Sequence, residues 1–451
     1  MQKLENNKRV FGIVVLFGFE TKNFFGSGLY EQLSKEHKMI TLRREFPTEN
    51  FDEYIDTYNL NVTVLEKSML LKQRLKSERL FLSSRRARNR LKNIENFNYF
   101  KSDRSIKFSD YILGNYVVQK LLNIIAMSEI AKNYFNEKLE KIFDDHKMTD
   151  LLITGYSSPE SIALANTAHR SGRNVWLVIN SWKDFYVNEQ ISFTPTKTFV
   201  WSQQMKEQLL RSNSHISASD VMVSGNPSFD RFFEYEPVNT KVYYSEKYHF
   251  DPVRPLILYS MISPRAYEHE KEVIELINQR LTTIYPDEKQ RPVMLLRRNP
   301  IDETVADEKF FSGNNIRYAD NYFEGSYANA VFVQLNEGEI EWMDLLYHAD
   351  INLNVASTVT LEALMMRTPV INIAFDAKGN KDEALIRYSE APFYVPLHNR
   401  KDVIIASTID VCIEAIDVFL KENVVIEDFV DILDRFDGKA TERIFEEINN
   451  G

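Results

Sequence analysis

Short β-rich runs alternate with longer helix-like segments along this chain, and that alternation most limits what it can become. It is the pattern of parallel strands buried between helical layers. In the first half, runs at 10–19, 38–43, 61–65, 150–154, 174–180, 197–201 and 220–224 are predicted strands. Between 64 and 147 helical stretches replace the strand signal, and 111–143 carries Ile112, Tyr116, Leu121, Ile125 and Ile130 at helical spacing. Pro237, Pro252 and Pro255 punctuate a polar break at about 235–255. Strands resume at 255–260, 292–297, 330–335, 350–354 and 369–374, and the last fifty residues are amphipathic from Asp428 and again after Gly438. The fold class expected is α/β, with two facing Rossmann-like domains, parallel sheets and a cleft between them. Residues 1–240 form the first domain, with a helical insert at about 64–147. Residues 250–427 form the second, and 428–451 are helices expected to pack back on the first. No internal repeat points to a solenoid.

Composition narrows the class. In 451 residues, 44% hydrophobic and 27% charged side chains lie in the globular range. Fourteen Gly and fourteen Pro exclude collagen-like and low-complexity designs. One cysteine, Cys412, excludes a disulfide framework and a zinc site of paired thiolates, and fits a reducing compartment. A net charge of −10 argues against a general nucleic-acid binder. Charge is uneven, however: residues 67–107 hold thirteen Lys and Arg against three acids, net +10, leaving −20 for the rest. Its densest part is Arg85-Arg86-Ala87-Arg88-Asn89-Arg90. That segment reads either as a solvated helix face or as a docking site for anionic lipid headgroups or a phosphate-bearing acceptor.

Lys3, Lys8 and Arg9 before the apolar run 10–19 imitate a signal peptide, but Glu20-Thr21-Lys22-Asn23-Phe24 supplies no small-residue cleavage site. The run is also well short of the ~20 residues that span a bilayer. It reads as a first buried strand. A cytoplasmic protein is expected, peripheral on the membrane's inner face if 67–107 binds lipid.

The segment 349–376 carries the most chemistry. A strand at 350–354 enters the turn Ala356-Ser357-Thr358, then a helix that stops near Arg367-Thr368-Pro369. Ser357 or Thr358 suits an N-cap, and the free N–H groups there favour an anion such as a diphosphate. Glu362, one turn on, is placed to accept ribose hydroxyls. A capped helix with a solvent-facing glutamate is the plainer reading.

This strand–Ser-Thr-x-x-x-Glu-Ala–helix–Pro-Val-Ile pattern resembles the donor segment of glycosyltransferases with the GT-B fold. Ser224-Gly225-Asn226-Pro227-Ser228-Phe229-Asp230 is similar to the element closing the N-terminal half in several such families. Asn180-Ser181-Trp182-Lys183-Asp184 with Phe199-Val200-Trp201-Ser202 resembles a pattern of bacterial surface-polysaccharide transferases. Leu295-Leu296-Arg297-Arg298-Asn299-Pro300 resembles the Arg-Pro-His-Pro strand end of capsule and teichoic-acid-type relatives. Lys183 and Asn299 depart from those patterns, which leaves donor and polymer class open. The resemblance implies a metal-independent enzyme with a nucleotide-sugar donor and a glycan or lipid-linked acceptor.

Other motifs are weak. Gly26-Ser27-Gly28 lacks the third glycine of a dinucleotide fingerprint and reads as a tight turn; the resemblance would place it, with Trp182, at an acceptor cleft. There is no phosphate-cradling GxxxxGK[ST]. Tyr267-Glu268-His269-Glu270 lacks a zinc protease's second histidine. No Asp-x-Asp pair of the metal-holding kind occurs, so neither metal nor cofactor is expected. Sugar transfer needs cations or helix N–H groups for the leaving diphosphate and a base for the acceptor hydroxyl. Ser263, Arg265, Arg297 and Arg298, with Ser357, Thr358 and Glu362, are the donor-binding candidates. Glu20 and Asp184 are the candidate bases, and His169 reads as a partly buried helix residue. The expectation is a GT-B glycosyltransferase. A CDP-polyol phosphotransferase stands second. A nucleotide-sugar 2-epimerase stands third, because its Ser-Gly-Gly-x-x-Glu-Glu turn is replaced by Ala356-Ser357-Thr358-Val359-Thr360-Leu361-Glu362. A non-catalytic glycan-binding subunit is the alternative from another class.

Overall fold

The computed structural model describes residues 8–16, 20–43, 59–61, 79–84, 87, 106–187, 190–262, 267–299, 315–320, 323–326, 331–334, 336–422, 424–427, 429 and 432–451. Two compact units divide the chain. The first comprises residues 1–231 and 433–451, the second 232–432.

Seven parallel strands form the sheet of the first unit: β1 (Val10–Val15), β2 (Lys38–Arg43), β3 (Asn59–Asn61), β4 (Asp150–Ile153), β5 (Asn174–Val178), β6 (Lys197–Val200) and β7 (Val221–Val223). Their spatial order is β3-β2-β1-β4-β5-β6-β7. Covered on both faces, β1, β4 and β5 are almost wholly buried, as parallel strands between helices must be. The strand order reverses between β1 and β4, so the loops at the carboxyl ends of these strands border a crevice.

The second unit repeats the plan. Its strands are β8 (Leu256–Ser260), β9 (Val293–Arg297), β10 (Ile316–Tyr318), β11 (Phe323–Ser326), β12 (Val331–Gln334), β13 (Ile351–Asn354), β14 (Val370–Ile373) and β15 (Val403–Ala406). Six form a parallel sheet, β10-β9-β8-β13-β14-β15, whose order reverses between β8 and β13. The run at 330–335 was expected in that sheet. Instead β12 pairs antiparallel with β11 in a separate two-stranded ribbon. The strand β15 escapes a reading of hydrophobic runs because its four residues run on, after only Ser407 and Thr408, into a helix rich in apolar residues. Thr408 separates strand from helix there, its hydroxyl accepting the Val411 amide.

The polar break at 235–255 is packed rather than loose. Asp344, fully buried, accepts hydrogen bonds from Tyr235 Oη (2.6 Å), Tyr244 Oη (2.7 Å) and the amides of Val238 and Asn239. Glu341 accepts from Tyr248 Oη at 2.5 Å. These bonds hold residues 235–248 against the helix Asn336–His348 of the second unit.

In the first unit, the returning helix Ala440–Asn450 explains the Gly-Asn-Pro-Ser-Phe-Asp element. Asp230 accepts the amides of Ala440 (3.1 Å) and Thr441 (2.7 Å), so it caps that helix from 210 residues away. Gly225 has φ +88°, and a Cβ there would lie 2.6 Å from the Arg435 carbonyl oxygen. Only glycine permits that approach. Arg443 Nη1 completes the contact, donating to the Ser224 carbonyl at 2.7 Å. Asp230→Ala is therefore expected to lower stability by about 1–2 kcal/mol, the value of a lost cap. Asp230→Asn, which keeps an acceptor, should restore most of it. Urea unfolding of the three proteins checks this.

Candidate functional site

At the reversal point of the second sheet, three strand carboxyl ends carry polar residues: Ser260 on β8, Arg297 on β9 and Asn354 on β13. Strands buried on both faces are normally apolar throughout. Here Asn352, Asn354 and Asn372 occupy buried positions of β13 and β14. An unpaired amide in such a place costs several kcal/mol, so each must be partnered. Asn352 Nδ2 donates to Ser260 Oγ (3.0 Å) and the Leu258 carbonyl (3.1 Å). Asn354 Nδ2 donates to Asn352 Oδ1 at 2.8 Å. Asn354 Oδ1 in turn accepts from Thr360 Oγ1 (3.2 Å) and Asn372 Nδ2 (3.4 Å). Thr360 Oγ1 lies 2.7 Å from Tyr394 Oη, which itself donates to Asn372. Burial pushes the Tyr394 hydroxyl far above its ordinary range, so it stays a neutral donor.

This network pins the turn 355–358 and the helix Val359–Met365 to the strand ends. Neither Ser357 nor Thr358 caps the helix with its side chain, contrary to the sequence expectation. Thr358 is itself in the helical region, and the Ser357 hydroxyl points to Asn354 Oδ1 at 3.5 Å. The helix has seven residues, and Arg367, just past its C-cap Met366, turns the chain at φ +64°.

Glu362, one turn along, is half-buried, and Oε2 accepts a hydrogen bond from Trp342 Nε1 at 2.8 Å. Trp342 is 1% exposed and comes from the helix Asn336–His348. On its ring lies the guanidinium of Arg297, 4.0 Å from the centroid, a cation–π contact that orients the charge. Burial pulls Arg297 down to about 10, against the opposing pull of Glu362, and it remains a cation at neutral pH. Arg297, Trp342 and Glu362 thus place one cation and one carboxylate on a rigid indole beside the strand ends. Arg298 lies next to them, its guanidinium 6.0 Å from the Tyr318 ring centroid. Ser263 and Arg265 lie outside the described residues.

The first unit gathers another set after β1, β4 and β5. Glu20 is 1% exposed, and its Oε1 accepts the Leu16 amide at 3.1 Å. Gly26-Ser27-Gly28 is a turn: Gly28 has φ +80°, and Ser27 Oγ donates to the Asn23 carbonyl and accepts the Leu29 amide. Asn23 Nδ2 donates to Asn180 Oδ1 at 2.5 Å, joining the loops after β1 and β5. Trp182 is buried. Asp184, half-buried, accepts the Ser181 amide at 3.2 Å. Burial pushes its carboxyl up to about 7, more than that hydrogen bond and the charge of Lys183 hold it down. A carboxyl poised there exchanges protons readily at neutral pH. Thr154, after β4, keeps a buried hydroxyl that makes no hydrogen bond. His169 lies on the helix Pro159–Arg170 but is exposed, not partly buried as expected, because the helix buries the face of residues 161–168.

Sequence reasoning missed Trp342 and the network of Asn352, Thr360, Asn372 and Tyr394. One signal was available: Ile351-Asn352-Leu353-Asn354 puts two amides on one face of a strand expected to be apolar.

Two Rossmann-like units in one chain define the GT-B class of fold. No protein-family model matches the chain, and no curated protein matches it in sequence. Solved structures do match. UDP-GlcNAc 2-epimerase from Methanocaldococcus jannaschii superposes with a TM-score of 0.56 at 14% identity, over 98% of this chain and 100% of its own. The S. aureus MnaA–UDP co-structure gives 0.56 at 13%, over 98% and 96%. UDP-GlcNAc 2-epimerase from Neisseria meningitidis bound to UDP-GlcNAc gives 0.54 at 14%, over 98% and 100%. These structures share the fold.

They also correct the glycosyltransferase expectation, because the epimerases it ranked third match over the whole chain. The reason is physical. The epimerase reading ranks third because its Ser-Gly-Gly turn falls here on Ala356-Ser357-Thr358. None of those residues has a positive φ, so this turn does not call for glycine.

The raised Asp184 pKa has a consequence for stability. From pH ~4, the ordinary carboxylate range, to about 7, the unfolded chain releases this proton while the folded protein keeps it. Stability from this group therefore falls as pH rises through that window and is level above it. Asp184→Asn lacks that loss. The urea midpoint of the variant relative to wild type should rise from pH 4 to 7 and then stay constant.

Proposed function

We propose that this protein binds a nucleoside-diphosphate sugar at the carboxyl edge of its second sheet and inverts the sugar carbon beside the anomeric centre. That is the reaction class of nucleotide-sugar 2-epimerases. One observation carries the reading: the whole-length likeness to epimerase structures, one of them bound to UDP-GlcNAc. The Arg297–Trp342–Glu362 group supports it with suitable chemistry.

The C2–H of a 2-acetamido sugar is not acidic. Inversion without oxidation requires the C1–O bond to the diphosphate to break as the C2 proton leaves, forming a C1–C2 double bond. Protonation of C2 from the opposite face and return of the diphosphate to C1 complete the balance. The first step needs a cation on the leaving diphosphate, a role for Arg297. Ribose hydroxyls would donate to Glu362. Removal and return of the C2 proton need a group that titrates near neutral pH.

The test is calorimetry with UDP and UDP-GlcNAc, followed by reaction in D2O. Wild type is expected to bind both and to form the C2 epimer carrying deuterium at C2. Glu362→Gln should weaken binding about tenfold or more, since a hydrogen bond to a charged group contributes about 1.5–3 kcal/mol. Absence of binding by uridine nucleotides, or binding without deuterium uptake, overturns the reading.

A further inference from the structure

The helix Tyr116–Asn133 is apolar on both sides, yet only one side is covered. Ala126 and Ile130 face the first unit and are buried. Val117, Leu121, Ile124 and Ile125 lie on the opposite face, and each is at least half exposed. Just before it, the helix Phe108–Leu113 presents Phe108, Tyr111 and Ile112 on one face, with Phe108 83% exposed. Tyr116, which opens the second helix, is exposed as well. No other described part of the chain gathers so many exposed large apolar side chains. Scattered exposed apolar residues are ordinary; two successive helices with continuous apolar stripes mark a surface that is covered in use.

Charge selects the occupant. From Tyr111 to Ser128, Lys120 is the sole charged residue, so the face itself is uncharged apolar surface. The sequence leading into it, 67–107, carries net +10, while the rest of the chain carries −20. A two-fold contact with a second copy would bring two such basic segments together. An anionic bilayer attracts them and repels the acidic remainder, which orients the molecule. No described helix is long and apolar enough to cross a membrane. We therefore infer that the faces of Phe108–Leu113 and Tyr116–Asn133 seat in the interfacial layer of an anionic lipid membrane, lying on it rather than spanning it. Apolar insertion and basic attraction are the two signals that together make such binding stable. This inference is independent of the catalytic reading.

The test uses the full-length protein and sedimentation with vesicles of pure phosphatidylcholine or of phosphatidylcholine with about one-third phosphatidylglycerol. Cosedimentation with the anionic vesicles is expected at low salt, weakening at high salt as the charge attraction is screened. The triple variant Val117→Ser, Leu121→Ser, Ile125→Ser alters only exposed positions, and an unchanged melting curve would show that it folds. It should bind at least tenfold more weakly. Equal binding of both proteins, or no binding by wild type at low salt, overturns the inference. So does a concentration-dependent dimer in light scattering that the triple variant abolishes, since a second copy would then own the face.

Discussion

Asn352, Asn354 and Asn372 are the constraint on which the second unit's site depends. Amides in a sheet interior must be satisfied inside the protein, because water cannot reach them. The partners available are Ser260 on the neighbouring strand, Thr360 on the following helix and Tyr394 from further along the chain. Thr360 is thereby fixed to β13, and its helix cannot rotate without stranding several buried polar groups at once. Glu362, two residues on, inherits that orientation and meets the Trp342 indole, against which Arg297 is also laid. A polar core thus sets the direction of a polar site, where an apolar core of equal stability would leave the helix freer to turn.

The first unit solves a related problem at the opposite ends of its strands. Asp150, fully buried at the start of β4, accepts from Arg9 Nε (2.9 Å), Trp176 Nε1 (2.8 Å), Asn174 Nδ2 (3.0 Å) and Thr149 Oγ1 (2.7 Å). Burial alone would push its carboxyl up, but the hydrogen bonds from Arg9, Trp176 and Thr149 hold it below its ordinary value. Arg9 also donates to the Ile448 carbonyl at 2.5 Å. One ion pair therefore joins the first strand, the central strands and the last helix.

Much of this architecture was legible in the sequence. Strands at 38–43, 150–154 and 255–260 announced themselves as bounded β-rich runs because buried parallel strands are nearly continuous in apolar residues. The strand β10 was not legible, since Ile316-Arg317-Tyr318 has no such run, and β15 merged with the apolar helix after it. Glu362 and Arg297 were singled out by motif and do fall together. Trp342, which links them, is distant in sequence and looks like any core aromatic until the fold brings it in. Asp184 stood out only as a carboxylate in a motif; its raised pKa comes from burial, which a linear sequence does not display. The epimerase reading ranked third because a motif's glycines were weighed as chemistry, whereas at 356–358 the backbone adopts no positive φ.

The first unit is assembled from residues 1–231 and 433–451, with the whole second unit inserted between. The helix Ala440–Asn450 is capped by Asp230, and Arg435 lies against Gly225, so those groups stay unsatisfied until residues 435–441 arrive. On a ribosome adding about 5–20 residues per second, that wait lasts roughly ten seconds or more. The inserted unit, encoded in one continuous stretch, can fold during that interval. The first unit to begin is the later to finish, and a chain stalled before residue 440 carries one unit complete and the other still open.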